Sequence, residues 1–370
     1  MATANDKLQD ESIAHAIWIA RYSTSVANRM IKILNDSDAE LTARLLVAMD
    51  SLDVDSFTVS RLEALLSSVR ALNREAVQSM YAGLSDELQQ LAQHEAGFQL
   101  SLFQFAIPDD VLSLHPLVGI SPDAVYAAAM AQPFQGRLLS EWADNLEADR
   151  MTRISNTVRQ GFLLGDTHEQ IARKVRGHAN RGYQDGALQM SRANAGSIAK
   201  TAVGHLAATA RKSFADANDD ILKGKQWLST LDNRTSKDCR IRDRLKYPLD
   251  NKPIGHKVPY LQGPGKIHFC CRSVETYILK SSDELGIAVG QISDSSRASM
   301  DGQVPSDTDY QGWFSRQSFT RQSQIVGVTR ARLIRDGGMS PDEFYNDKGE
   351  WLTLDQLRER DDQAFRDAGL

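Results

Sequence analysis

From residue 11 to about residue 105 the chain contains almost nothing that stops a helix. No proline precedes Pro108, and Gly83 and Gly97 are the only glycines before it. Apolar residues recur there at helical spacing. Ile13, Ile17, Ile19 and Ala20 open a stripe that Val26, Met30, Ile33 and Leu34 continue. Leu41, Leu45, Leu46 and Met49 mark a second helix. Ser60, with Glu63 three residues later, fits a capping box ahead of Leu65, Leu66, Val69 and Leu72, and Ser85 leads into Leu88, Leu91 and Ala92. The expectation is a helical bundle that offers docking surface and no chemistry of its own.

Further along, the punctuation changes. Pro108, Pro116, Gly119, Pro122 and Pro133 interrupt residues 106–135, where Ser121-Pro122 has the N-cap and first-turn chemistry of a short Ala-rich helix and His115 reads as a loop residue. Helix returns over 138–163 with Trp142, Leu146 and Met151 on one face. Gly165-Asp166-Thr167 ends it, and Thr167 with Gln170 caps the next helix, which buries Ile171 and Val175. A Gly-, Asn- and Arg-rich loop from Gly177 to Gly186 precedes a long helix, about Met190 to Ala217, whose Ile198, Ala202, Leu206, Ala210 and Phe214 repeat every four residues. Past residue 281 a Ser-, Asp- and Gly-rich stretch runs to Asp309 as a linker or arm. Trp313, Phe314, Phe319, Ile325 and Val328 suggest further helix. Ser340-Pro341-Asp342-Glu343 starts another, and Thr353 with Gln356 starts a last one through Phe365.

The organisation expected is therefore mainly α. Residues 1–150 form a helical N-terminal domain, 151–222 a helical connector with the long helix, 223–280 a small, loop-rich α+β motif domain, and 281–370 a linker and C-terminal helical segment. A length of 370 residues suits two or three domains. No run of 18 apolar residues is present, so no membrane span is expected, and Met1 to Asp10 lack the pattern of a secretory signal. Charge is strongly segmented. Residues 1–150 carry 10 basic and 21 acidic side chains, residues 151–280 carry 23 basic and 11 acidic, and residues 281–370 carry 10 basic and 16 acidic. A basic middle can face DNA or an acidic protein surface, or be neutralised within the fold by its flanks.

The chemistry concentrates in residues 223–280. Helical periodicity disappears there, and Val274 to Leu279 alternates as a strand does. All three cysteines, Cys239, Cys270 and Cys271, lie in this stretch. An odd count with two neighbours argues for thiols in a reducing compartment, not a disulfide framework. Asp232-Asn233-Arg234-Thr235 has turn chemistry: the carboxylate can accept N–H groups two and three residues on, and a nearby Arg offers a planar fork to a carboxylate or phosphate. Trp227 is a candidate core residue. His268-x-x-Cys271 has ligand spacing, and with Cys239 it supplies three of the four ligands of a structural zinc site. His256, Cys270 and Asp238 are candidates for the fourth, and buried free thiols are the alternative.

This window resembles the phage Mu F-type minor head, or head morphogenesis, family. The family pattern is a Trp, an Asp-x-Arg-Thr turn, a Cys shortly after, and a closing His-x-x-Cys-Arg. Trp227, Asp232, Arg234, Thr235, Cys239, His268, Cys271 and Arg272 match it. The preceding helix is also similar, through Arg192, Ala195, Ile198, Ala199 and Thr201, and Trp313, Gln317, Gln322 and Gly327 resemble the tails of phage minor head proteins. The resemblance covers roughly residues 160–280. Many family members carry a Cys where this chain has Ser236 and another where it has Ser273, so any metal here needs a mixed His/Cys set.

What the resemblance implies is a low-copy structural component of a tailed phage virion. It would assemble in the host cytoplasm with the portal protein and other head proteins, act in head morphogenesis and in DNA packaging or ejection, and touch packaged DNA without sequence preference. No catalytic residue carries over. A competing reading is a metal-dependent nuclease using Asp232, Asp238, Asp243 and His256, although no His-Asn-His or paired acidic signature is present.

Overall fold

A computed structural model describes residues 3–51, 59–281, 284–285, 296–299, 302–305 and 308–370. The first hundred residues form two long helices, α1 (Ala4–Asp50) and α2 (Val59–Ala106). More breaks were expected. Leu41 to Met49 were expected as a separate second helix, yet α1 passes straight into them, and Asp38 between the two stripes is drawn inside. Its carboxylate is fully buried and pairs with Arg150 and Arg192, the latter at 2.7 Å. Likewise α2 runs on through Gly83 and Ser85. The side chain of Ser60 lies outside the described residues.

Contacts divide the chain into two compact units. One comprises residues 20–93 and 122–206; the other comprises residues 1–19, 94–121 and 207–370. These units do not follow the four segments read from the sequence, because α1, α2 and the long helix α7 (Gln189–Ala217) each contribute to both.

In the first unit, α4 (Pro122–Ala131) starts at the Ser121-Pro122 step and α5 (Leu139–Leu164) ends at Gly165, whose φ of +70° closes the helix in the left-handed conformation that glycine adopts freely. Thr167 caps α6 (His168–Arg176). Its hydroxyl accepts the Gln170 N–H at 3.2 Å and its own N–H donates to the Gln170 side chain at 2.8 Å. Ile171 and Val175 then reach a core shared with Leu41, Leu45, Val69, Ile154 and Val158. The Asp38 pair is extended there: Arg150 Nε donates to Asn73 Oδ1 at 2.9 Å, and Arg192 donates to the Tyr183 carbonyl at 2.6 Å.

The second unit holds the short α3 (Asp109–Leu114) and a three-stranded antiparallel sheet. Strand β1 (Leu222–Leu228) lies between β2 (Lys246–Tyr247) and β3 (Val274–Leu279), with α8 (Lys237–Arg240) in the connection between β1 and β2. Register places Lys225 opposite Tyr277 and Trp227 opposite Glu275. One face of this region packs with Leu8, Phe103, Ile107 and Phe214. The expected linker falls largely outside the described residues, and what is described pairs β4 (Ser296–Ser299) with β5 (Gly302–Pro305) in a two-stranded ribbon.

Helices α9 (Tyr310–Ser315), α10 (Phe319–Val326) and α11 (Val328–Arg335) follow, with Tyr310, Trp313 and Phe314 buried around Leu231. Ser340-Pro341 starts only a 3₁₀ turn of four residues, because Tyr345 turns extended and bridges to Trp351. The expected last helix is two, α12 (Leu354–Arg360) and α13 (Asp362–Asp367). Asp361 stops the first and caps the second, accepting the Ala364 N–H at 2.9 Å. The architecture is mainly α with a small antiparallel sheet. Among the described residues no helix is long and apolar enough to cross a membrane.

Candidate metal centre

The site begins where β1 ends. Trp227 is fully buried, and its indole N–H donates to Ser229 Oγ at 3.1 Å. The Ser229 hydroxyl donates in turn to the Cys239 carbonyl at 2.8 Å, while the Ser229 N–H donates to Asp243 Oδ1 at 2.6 Å. The other Asp243 oxygen accepts the Tyr310 N–H at 2.8 Å. Strand end, α8 and the first turn of α9 are thus joined through buried polar groups, each with a partner, as burial demands. Ser229 and Tyr310 were not singled out in the sequence, and Asp243 was named there only as a ligand of the nuclease reading; its place in this network could have been suggested only by spacing from Trp227 and Asp232.

Asp232 organises the next turn. Its Oδ1 accepts the Arg234 N–H at 3.0 Å, the Thr235 hydroxyl at 3.1 Å and one Arg272 N–H at 2.8 Å. A second Arg272 N–H binds Oδ2, completing a bidentate fork. The Asp232 carbonyl accepts the Tyr310 hydroxyl at 2.9 Å. Burial acts to raise the Asp232 carboxyl, but the Arg272 fork and the two local donors outweigh it and hold the group below the usual carboxylate range. The structure brings Asp232, Thr235 and Arg272 into one cluster, while Trp227 packs with Cys239 and Cys271. Arg234 bonds through its backbone N–H, and its exposed side chain makes only a loose ion pair, Nε 4.0 Å from Asp232. The fork expected of a nearby Arg is supplied by Arg272, forty residues away in sequence.

Beside this turn the sulfur and imidazole groups converge. Cys239 Sγ lies 3.7 Å from Cys271 Sγ and 3.3 Å from His268 Nε2. One ligand atom from each of Cys239, His268 and Cys271 lies within 4.8 Å of the other two. His268 Nδ1 faces the Phe269 carbonyl at 2.9 Å; a carbonyl can only accept, so the proton sits on Nδ1 and the Nε2 lone pair faces the sulfurs. Ser236 caps α8 by accepting the Cys239 N–H at 3.2 Å, and the same hydroxyl oxygen lies 2.8 Å from His268 Nε2.

Electrostatics favour one thiolate. The neighbouring Cys271 sulfur, with burial, holds the Cys239 thiol well above its ordinary value. Cys271 is drawn down to about 7 by the Cys239 contact, against burial, with help from the Gly265 and Ser273 N–H groups. Burial opposes charge on His268, but the Cys239 contact and the Phe269 carbonyl prevail and its pKa rises.

Bond lengths test whether this trio suits a tetrahedral ion. Zinc–sulfur bonds of about 2.3 Å and zinc–nitrogen bonds of about 2.0 Å put neighbouring sulfurs roughly 3.8 Å apart and sulfur and nitrogen roughly 3.6 Å apart. The observed separations of 3.7 and 3.3 Å fit three corners of such a site. The expected fourth ligands do not join this group. His256 faces the Lys246 carbonyl at 3.1 Å and packs edge-on against Tyr247; Cys270 occupies a turn with φ +55°, and the Asp238 carbonyl accepts from Arg242. The Ser236 hydroxyl oxygen, 2.8 Å from His268 Nε2, is an oxygen beside this group. For the nuclease reading, Asp232 and Asp243 are committed to internal donors, and with Asp238 and His256 they form no ligand group among the described residues.

Fold and site together define a mainly helical protein built around a small α+β unit with a Cys/His cluster. Residues 152–276 match the family model described as Phage Mu protein F like protein. Over these residues the chain is similar to that family, and the likeness points to a phage head-related protein. Comparison with curated proteins and with solved structures gives no match.

Proposed function

We propose that this chain is a structural minor head protein of a tailed phage. It sits at or near the portal vertex in several copies, joins other head proteins in the host cytoplasm during assembly, and acts in head morphogenesis and in DNA packaging or ejection. The observation that carries the reading is the match of residues 152–276 to the Mu F-like family, over the segment that holds the Asp232 and Cys239 clusters. The chemistry of that segment supports a scaffold. Its buried carboxylates are taken up by internal donors, as in a locked turn, and none is left poised toward a substrate. Co-sedimentation of the purified protein with proheads or portal rings tests the placement; failure to associate with either counts against it.

Zinc at Cys239, His268 and Cys271 belongs to the same proposal. A small, loop-rich unit gains folding free energy directly from such a staple, and Cys271 is already disposed toward the thiolate that a metal takes. Elemental analysis of the purified protein and of Cys239→Ser is the test. The expected outcome is the loss of one zinc per chain and a lower Tm in the variant; a wild type with no zinc sinks the idea.

Contact with DNA would be nonspecific. Several cations of the basic middle segment are spent internally: Arg192 on Asp38, Arg272 on Asp232, and Lys225 beside Glu275. Others, including Arg173, Arg181, Lys252 and Lys257, are exposed and paired only with partly or fully exposed carboxylates, from which a phosphate could draw them. Binding through them should fall steeply with salt. A filter titration with no binding even at low salt removes the DNA part of the proposal.

A further inference from the structure

A second group of ligating side chains converges away from the sulfur site. His15 and Trp18 stand on α1, and His94, Glu95, Phe98 and Gln99 on α2, all within the unit that holds the sheet. His15 Nε2 lies 2.6 Å from Glu95 Oε1. One ligand atom from each of His15, His94 and Glu95 lies within 4.8 Å of the other two. The aromatic neighbours fix both imidazoles. The His15 ring stacks on Phe98 at 3.7 Å between centroids, and the His94 ring stacks on Trp18 at 4.3 Å.

Two buried groups here have unmet needs. Glu95 is 0% exposed, and its Oε2 has no hydrogen-bond partner. Gln99, one helical turn further on the same face, is 1% exposed, and neither end of its amide has a partner. A bare carboxylate oxygen and a bare amide, both buried one helical turn apart, are costly unless something else binds there. The His15 contact answers for Oε1 only. An ion shared by the carboxylate and two imidazoles would answer for the charge, and a water held by that ion could reach the Gln99 amide.

We propose that His15, His94 and Glu95 form a binding site for a divalent transition-metal ion, zinc by preference, that ties α1 to α2. Two imidazoles and one carboxylate are a donor set for such ions, whereas calcium and magnesium favour oxygen-only sites. His94 is exposed and gives the ion a way in. The tie fastens the part of α1 that carries Asn5, Leu8 and Gln9. Asn5 Oδ1 accepts the Leu279 N–H at 2.9 Å, and Gln9 accepts from Arg244 at 2.6 Å.

The test uses the full chain with zinc alone. Wild type, His94→Ala and Cys239→Ser are loaded with excess zinc, dialysed against metal-free buffer and counted for zinc per chain. Since His94 is exposed, His94→Ala should keep the helical circular dichroism of the wild type. The expected result is one equivalent fewer in His94→Ala, while Cys239→Ser keeps this equivalent. Cobalt gives an independent readout, because at this site it should show d–d absorption without the charge-transfer band of a thiolate ligand. Equal zinc content in wild type and His94→Ala overturns the proposal, as does cobalt-loaded Cys239→Ser with no d–d absorption left. This outcome is separate from the sulfur site, since either group can hold metal without the other.

Discussion

Arg272 and Asp232 show how far a residue-level reading reaches. The Asp-x-Arg-Thr turn was visible in sequence because its bonds are local: the Arg234 N–H and the Thr235 hydroxyl both return to Asp232. The fork was not visible, because Arg272 meets Asp232 only once β3 has paired with β1 and set the register that precedes it. Arg272→Ala leaves a largely buried carboxylate with two local donors and only the exposed Arg234 side chain, 4.0 Å away, as a counter-charge. The expected cost at neutral pH is about 2 kcal/mol, less than for a fully buried pair because the Arg272 side chain is 25% exposed. The pH dependence has a definite sign. A carboxyl whose folded pKa is depressed contributes stability above its unfolded value, about 3.9, and loses it as pH falls through the folded value. The gap between wild type and Arg272→Ala in urea unfolding should therefore be widest above roughly pH 5 and narrow as the pH drops below about 4. A gap that stays constant with pH would show that the fork acts through packing alone.

At the level of elements, helix starts were more legible than helix lengths. Caps are local: Thr167 with Gln170 and Thr353 with Gln356 close as their spacing indicates. Lengths depend on what the helix meets. Asp38 keeps α1 intact because two arginines from elsewhere in the sequence reach it, and the strong start at Ser340 yields four residues because Tyr345 has a partner in Trp351. Two helical glycines turn the same distinction into a prediction. Replacing glycine by alanine inside a helix gains up to about 1 kcal/mol of propensity. At Gly83 an added Cβ would meet the Ile33 Cδ1 atom at 3.2 Å, the far end of a side chain that can shift. At Gly161 it would fall 2.4 Å from Ile171 Cγ1, and Ile171 is fully enclosed in its core. Gly83→Ala should leave Tm unchanged or raise it slightly. Gly161→Ala should destabilise by about 1–2 kcal/mol, since overpacking outweighs propensity. Similar Tm shifts for the two variants would refute the packing argument.

The whole molecule was least legible, because its units are assembled from distant stretches. A linear reading cut the chain near residues 150, 222 and 280, while the contacts group residues 1–19, 94–121 and 207–370 together. Nothing local in Leu8 or Phe103 says that they will share a core with Phe214, Leu222 and Tyr277. A consequence follows for the Mu F-like segment, residues 152–276. Cut out alone, it loses Leu8, Phe103, Ile107 and Tyr277 from one core, Leu41, Leu45 and Val69 from the other, and the Tyr310 hydroxyl from the Asp232 turn. Each large apolar side chain taken from a core costs about 2–5 kcal/mol, and a domain has only about 5–15 kcal/mol of net stability. Losses at several such positions exceed that margin, with or without zinc at Cys239, His268 and Cys271. The fragment 152–276 should therefore unfold without a cooperative transition and bind an apolar dye, whereas the full chain melts cooperatively. A fragment that melts sharply near the Tm of the full chain would mean that the segment is a folding unit in its own right, and that the long-range core around Leu8 and Phe103 adds little to it.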